Sequence, residues 1–274
     1  MNPTEILPYN FSDPITFLAL TGLMFLAVTS RYFLLSALFH LTFYVWLRDK
    51  WQQRRLSQKD YPAAQFRREI GWSVLTAAIF AVVGAGTAVA WQKGHTAIYT
   101  DFGLYGPIYF VFSILAAMFV HETYYYWLHR WMHHPRVFRH IHRVHHESKI
   151  TSAWTAFSFH PVEGLLEAVI LPAILFVLPM HPYAVVTHLT IMTLSAAINH
   201  LDVEIYPRHW YDNPLGRWII GATHHSHHHR YFKFNYGLYF TFWDKWAKTE
   251  SLSFEREFRE KTETNSEFRI QNSD

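Results

Sequence analysis

The sequence predicts an all-α fold, an integral-membrane helical bundle carrying a histidine-rich di-metal cap on its cytoplasmic face. Three observations predict it. Half of the 274 residues are hydrophobic and 18% aromatic, while only 16% are charged, and the apolar residues gather in long runs. Basic residues crowd particular loops beside those runs. Most of the 20 histidines lie between His121 and His229, many of them at helical spacings.

The apolar runs come first. From Pro14 to Trp46 only Arg31 and His40 interrupt the hydrophobic character, which suits one tilted crossing. The stretch before it carries Glu5 and Asp13 but no Lys or Arg. It therefore lacks the basic start of a cleavable signal peptide, and the run reads as a retained helix. A loop with Arg48, Lys50, Arg54, Arg55, Lys59, Arg67 and Arg68 follows, and the positive-inside rule places it in the cytoplasm. A second run, about 71 to 91, leaves that side. A third, about 105 to 128, returns to it and ends beside Arg130, Arg136, Arg139 and Arg143. A fourth region, about 165 to 197, is divided by Pro179, His181 and Pro182, residues that mark a turn. The expected hairpin enters and leaves on one face. The histidine-rich stretches 129–146 and 224–229 then emerge together. Three regions are expected: 1–104 with the first helices and the basic loop, 105–247 with the chemistry, and 248–274 as a charged soluble tail.

The chain has no cysteine, which excludes disulfides, thiolate zinc sites, iron–sulfur clusters and cysteine-ligated haem. A metal must sit on His, Asp or Glu. The net charge of +3 resides in loops beside apolar runs, where membrane topology accounts for it, so no nucleic-acid partner is expected.

His129 and His133 stand four apart, which stacks two rings on one helical face. His142, His145 and His146 extend the pattern with spacing i, i+3, i+4. The segment from His224 to His229 offers that spacing in two frames, His225 with His228 and His229, or His224 with His227 and His228. A lone i, i+4 pair is more often structural than metal-binding. Three linked clusters give eight well-spaced imidazoles, more than a single zinc site uses, and imply two metals. Imidazole suits Fe, Zn, Cu and Ni, so spacing does not name the ion. His40, His95, His181, His188 and His209 stand alone and read as interfacial, capping or core residues. His134, His140 and His227 fall beside the main frame. His121 and Glu122, ionisable groups at an apolar run, suggest either support for the metal centre or a structural polar pair.

These motifs resemble the fatty acid hydroxylase and sterol desaturase superfamily, and within it the sterol C5-desaturase branch. The HxxxH, HxxHH and HxxHH boxes match His129 with His133, His142 with His145 and His146, and His225 with His228 and His229. Phe159-His160-Pro161-Val162-Glu163-Gly164, Asn199-His200, Phe234-Asn235-Tyr236-Gly237 and Thr241-Phe242-Trp243-Asp244 are similar to further segments of that branch. The downstream match selects the His225 frame. The chain departs from the branch at Glu122, where Asp is usual, and at Leu201-Asp202 after His200, where Asp-Gly is usual. Those departures touch the sterol assignment more than the chemistry.

The resemblance implies two non-haem irons and O2 as co-substrate, used to attack a C–H bond of a sterol, acyl-chain or carotenoid lipid. Its ligands would be His129, His133, His142, His145, His146, His200, His225, His228 and His229. His160 would be a further ligand or a support, and Glu163 or Asp244 would accept ring N–H groups. No glycine fingerprint follows a predicted strand, so electrons are expected from a separate cytochrome b5-, ferredoxin- or flavoprotein-type donor. The topology suits an ER or a bacterial inner membrane. A zinc-dependent membrane hydrolase is the rival enzyme. A metal transporter is the rival of another class, though it would carry ligands within its spans rather than at their ends.

Overall fold

The computed structural model describes residues 9–57, 59 and 61–263. The N-terminal stretch with Glu5, and the part of the charged tail beyond residue 263, lie outside them. Among the described residues there is no named strand, only two isolated bridges, Arg55 with Val203 and Ile219 with Phe240.

Helix α1, Pro14–His40, starts where the Asp13 side chain accepts the backbone N–H groups of Ile15 and Thr16, with Pro14 in the first turn. This is the standard solution for the unpaired donors at a helix start. A π-helical stretch, Leu41–Trp46, continues it. Helix α2 spans Ala63–Gln92. Helix α3, Gly106–Met132, begins at a glycine of positive φ followed by Pro107. Among the described residues these are the helices long and apolar enough to cross a membrane, the first counted as Pro14–Trp46.

Their faces are turned inside out relative to a soluble bundle. On α1, Ile15, Leu18, Leu23, Leu26 and Leu34 are exposed. Polar Tyr32 and Ser36 are buried instead and donate to the carbonyls of Trp154 and Ala153. In lipid an apolar side chain gains nothing by burial, whereas an unpaired hydroxyl costs. The protein is a membrane protein.

The fourth apolar region is more broken than the sequence suggests. It folds as two eight-residue helices, α5 (Pro161–Ala168) and α6 (Ile170–Val177), a turn through Leu178–His181, and α7 (Pro182–His200). His160 and His181 cap α5 and α7 through their ring nitrogens, each followed by proline. Between α3 and α5 lies the four-residue helix α4, Arg143–His146. After α7 come α8 (Ala222–Tyr231), α9 (Phe242–Trp246) and α10 (Phe254–Thr262). The described part of the charged tail folds back through α10, whose buried Phe254 and Phe258 pack on Tyr211.

The basic loop is fastened to the segment that follows α7. Leu56 N–H donates to Asp202 O, Glu204 N–H to Arg54 O, and Arg54 Nη1 to Tyr206 O at 2.8 Å. Asp202 accepts from Ser57 N–H and pairs with Arg55 at 3.7 Å. The Asp202 side chain, one of the departures from the resemblance, thus ties the basic loop to the end of α7.

Candidate metal centre

Each candidate ligand is delivered by the end of an element. His129 and His133 lie one turn apart where α3 terminates, His133 being its C-cap. His142 caps α4, which carries His145 and His146. His200 is the last residue of α7, and His225, His228 and His229 stand on α8. Side chains at helix ends can converge from four directions without any helix crossing the centre.

The nine rings form two groups. His129, His133, His142, His146 and His228 make one, and His145, His200, His225 and His229 the other; within each, one ligand atom per residue lies within 4.8 Å of all the rest. Each HxxHH box is therefore shared. His142 and His146 face the first group and His145 the second, while His225 and His229 face the second and His228 the first. In the first group, His146 Nε2 is 3.1 Å from Nε2 of His133, His142 and His228, and His129 Nε2 is 3.1 Å from His142 Nε2. In the second, His200 Nε2 lies 3.1 Å from His145 Nε2 and 3.0 Å from His225 Nε2. A metal about 2.1 Å from each nitrogen, with neighbouring ligands at right angles, would set them roughly 3.0 Å apart. The donor set, all imidazole with neither thiolate nor carboxylate, suits iron among other transition metals.

The opposite ring nitrogens fix several of these orientations. His142 Nδ1 donates to Glu163 Oε1 at 2.7 Å, His129 Nδ1 to Tyr236 O at 2.8 Å, His228 Nδ1 to Phe234 O at 2.8 Å and His200 Nδ1 to Ala196 O at 2.7 Å. Such bonds leave Nε2 as the free lone pair, the form a metal needs. Burial, and after it the charge of neighbouring rings, holds His142, His145, His146, His225, His228 and His229 well below the usual histidine range. His133 is pushed down to about 2 by the same causes. Both causes disfavour the charged ring and so favour the form with a lone pair for a metal.

Other expectations are corrected by position. His160 enters neither group; it caps α5 and packs near Trp72. Asp244 touches no ligand ring. Its carboxylate accepts from Tyr236 N–H and Gly237 N–H at 2.9 and 3.0 Å and from Thr249 Oγ1 at 2.8 Å, so it shapes the loop whose Tyr236 carbonyl holds His129. Glu122 likewise serves that loop, accepting from Leu238 N–H and Tyr239 N–H. His121 points away from both groups, toward His188 and Tyr239. His224 and His227 face α10 instead, the first against Phe254 and the second on Ser251 and Glu257.

Two cavities reach the four-ring group, each at a different residue. One, about 640 Å³, runs between α1, α2, α3, α5, α6 and α7 with almost wholly apolar walls and reaches His200 and Phe159; Phe159 lies against His145. Arg31, His121, Tyr125, Glu167 and His188 are the ionisable groups on its walls besides His200. Neither Glu167 nor Tyr239 stands out in the sequence, the first a lone carboxylate at an apolar run and the second lying between two recognised segments. The second cavity, about 500 Å³, is polar and reaches His229 past Lys59, Lys149, Arg256 and Lys261.

Comparison with known proteins places this arrangement. Residues 114–249 match the family model described as fatty acid hydroxylase. Over 184 residues the chain is 29% identical to human lathosterol oxidase and 31% identical to that of Rattus norvegicus, in each case covering 66% of this chain and 60% of the relative. It is 29% identical over 182 residues to a Delta(7)-sterol 5(6)-desaturase of Gibberella zeae, covering 66% of this chain and 55% of the relative. The chain thus spans somewhat more than half the length of these relatives. No solved structure matches it. The segment that holds all nine converging imidazoles, residues 114–249, matches the fatty acid hydroxylase family model, and the chain is similar to lathosterol oxidases and Delta(7)-sterol 5(6)-desaturases.

Proposed function

We propose that this protein is an O2-dependent di-iron oxidoreductase that hydroxylates or desaturates a C–H bond of a membrane lipid, with a sterol-like substrate the first to test. The observation that carries the reading is that a 640 Å³ apolar cavity ends at His200, a member of the four-ring group of a paired imidazole cluster. A cavity of that size suits a single lipid.

The nine imidazoles would hold two irons, five rings at one and four at the other. When bound, the irons would supply the O2 and C–H chemistry that no side chain can perform. The chain's own part is to orient and to exclude. Glu163 and the carbonyls of Tyr236, Phe234 and Ala196 hold the ring tautomers. The walls from α1, α2, α5 and α6 keep water from the substrate side, and a lipid slides between the same helices from the bilayer.

Electrons would enter through the second, polar cavity. The polar cavity reaches His229, and its walls carry Lys59, Lys149, Arg230, Arg256 and Lys261 against Asp202, Glu257 and Glu260, a basic excess that supports an acidic, separate electron-carrier protein as partner. The positive-inside rule supports a multi-pass topology with this face, the Arg48–Arg68 loop and both histidine stretches in the cytoplasm. The three regions 1–104, 105–247 and 248–274 are proposed as membrane anchor, catalytic domain and closing tail.

The test is anaerobic reconstitution with iron, reduction, and exposure to O2 with a panel of sterols, acyl lipids and carotenoids analysed by mass spectrometry. A product gaining one oxygen atom establishes hydroxylation, and one losing two hydrogens desaturation. Zinc retention with lipid hydrolysis and no O2 consumption would overturn the proposal.

A further inference from the structure

His121 on α3, His188 on α7 and Tyr239 in the loop before α9 meet inside the membrane-embedded part of the molecule. His121 Nδ1 is 3.2 Å from His188 Nε2, and the Tyr239 hydroxyl is 3.0 Å from the first and 3.4 Å from the second. All three are buried, and both imidazoles line the apolar cavity. Glu122 fixes the third member by accepting Tyr239 N–H at 2.6 Å. None of the three contributes to the two imidazole groups of the metal centre.

The protons in this triangle can be counted. Each neutral ring has one N–H and one lone pair, and the phenol has one O–H and accepting lone pairs. If Tyr239 donates to His121 Nδ1, then His188 Nε2–H donates to the phenol oxygen; the outer nitrogens are left as a donor on His121 Nε2 and an acceptor on His188 Nδ1. If the ring of bonds runs the other way, the two roles exchange. Either way two protons serve the two contacts of the phenol, and the outer edge of the imidazole pair presents one donor and one acceptor. His188 Nδ1 is buried without a hydrogen-bond partner, a costly condition unless a ligand meets it. The uncharged group that both donates and accepts, and fits a site in an apolar cavity, is a hydroxyl.

We propose that His121, His188 and Tyr239 form a hydroxyl-binding site that anchors a lipid alcohol in the cavity, a proposal that takes the lipid-oxidising reading as its starting point. His121 lies eight residues before His129 on α3, and His188 twelve before His200 on α7. At 1.5 Å per residue the anchor is on the order of 12–18 Å from the metal centre along the helices. The substrate is then a lipid alcohol whose reacting carbon is remote from its hydroxyl, rather than adjacent to it. The long saturated or ring-bearing body between them fills the apolar walls.

The experiment measures binding, not turnover, with the full chain in nanodiscs, both metal-free and iron-loaded. The probes are cholestanol and hexadecan-1-ol, each against its methyl ether, which keeps the accepting oxygen and loses the donor. The wild type is expected to prefer at least one alcohol over its ether by about tenfold, the loss of one buried hydrogen bond. The double variant His121→Phe/His188→Phe, which removes both outer nitrogens, is expected to bring that ratio to about one while the iron content stays at the wild-type level. If neither alcohol is preferred over its ether, or the preference survives in the folded, iron-binding His121→Phe/His188→Phe protein, the proposal is overturned. The metal-free arm separates the two readings: a failed iron or O2 assay leaves this ratio unchanged, and a ratio of one leaves the iron assay unchanged.

Discussion

Glu163 Oε1 lies 2.7 Å from His142 Nδ1, with both side chains almost wholly buried. The contact joins the first turn of α5 to the cap of α4, and it determines which nitrogen of His142 faces the other four rings of its group. Supports of this kind are worth about 10–100-fold in metal affinity. Glu163→Ala is expected to lower the affinity of the five-ring site within that range, while Glu163→Gln, which can still accept the N–H, loses less. Metal titration of the two variants checks the order, and equal affinity in all three proteins would remove Glu163 from the account.

The interleaving of the boxes predicts how single ligands fail. His145→Ala and His228→Ala remove one ring from different groups, yet both are expected to abolish turnover, because the reading requires both irons. Both proteins should still insert in the membrane and fold. Full activity in either would overturn the ligand assignment.

Gly237 predicts a change at a distance from the metals. A Cβ there would stand 2.6 Å from Phe240 O, 2.7 Å from Ile220 Cδ1 and 2.8 Å from Glu122 Oε1. Gly237→Ala therefore has to push apart the loop that holds Tyr236 and Tyr239, at a cost of about 1–3 kcal/mol. A lowered thermal midpoint in detergent is the expected readout, and an unchanged midpoint would show that the loop yields freely.

The metal-free protein should be acid-sensitive. The folded-state pKa of His133, His142, His145, His146, His225, His228 and His229 is depressed, whereas unfolded histidines titrate near 6.5. Above that pH neither state takes up the protons. Below it the unfolded chain binds protons that the folded cluster refuses, so stability falls as pH drops. The thermal midpoint is expected to decline between about pH 7.5 and 5.5, which scanning calorimetry can follow. A flat profile would contradict the neutral, mutually crowded rings.

The proposed topology can be mapped because the chain has no cysteine of its own. Lys59→Cys and Lys149→Cys should be labelled from one side of the membrane and Lys93→Cys from the other. All three positions are exposed. Labelling of all three from one side would refute the crossing pattern.

Much of this was legible in the sequence because lipid and metal each impose a simple pattern. Long apolar runs located α1, α2 and α3, since a spanning helix must satisfy its own backbone and keep charge out of the bilayer. The i, i+3 and i+4 spacings located the helix ends that carry the ligands. Spacing alone did not reveal that His142 and His146 part company with His145, since that depends on how α4 sits between α3, α7 and α8. It also left open the choice between His224 and His225. The answer lies in α10 and the turn before it, which take His224 through Phe254 and His227 through Ser251 and Glu257. His188 read as a solitary residue because its partners, His121 and Tyr239, are 67 and 51 positions away. The break of the fourth apolar region into α5 and α6 was hidden by its unbroken hydrophobicity. Asp244, expected beside a ring, instead serves the backbone of Tyr236 and Gly237, a role written in loop geometry and not in residue type.

The central claim is that five and four imidazoles hold separate irons. Iron bound per chain after anaerobic reconstitution tests it most directly, measured on the wild type and on His146→Ala and His200→Ala, which each strip one group. About two irons in the wild type and about one in each variant is the predicted result, as two independent all-imidazole sites require. One iron or none in the wild type, or no loss in either variant, would contradict it.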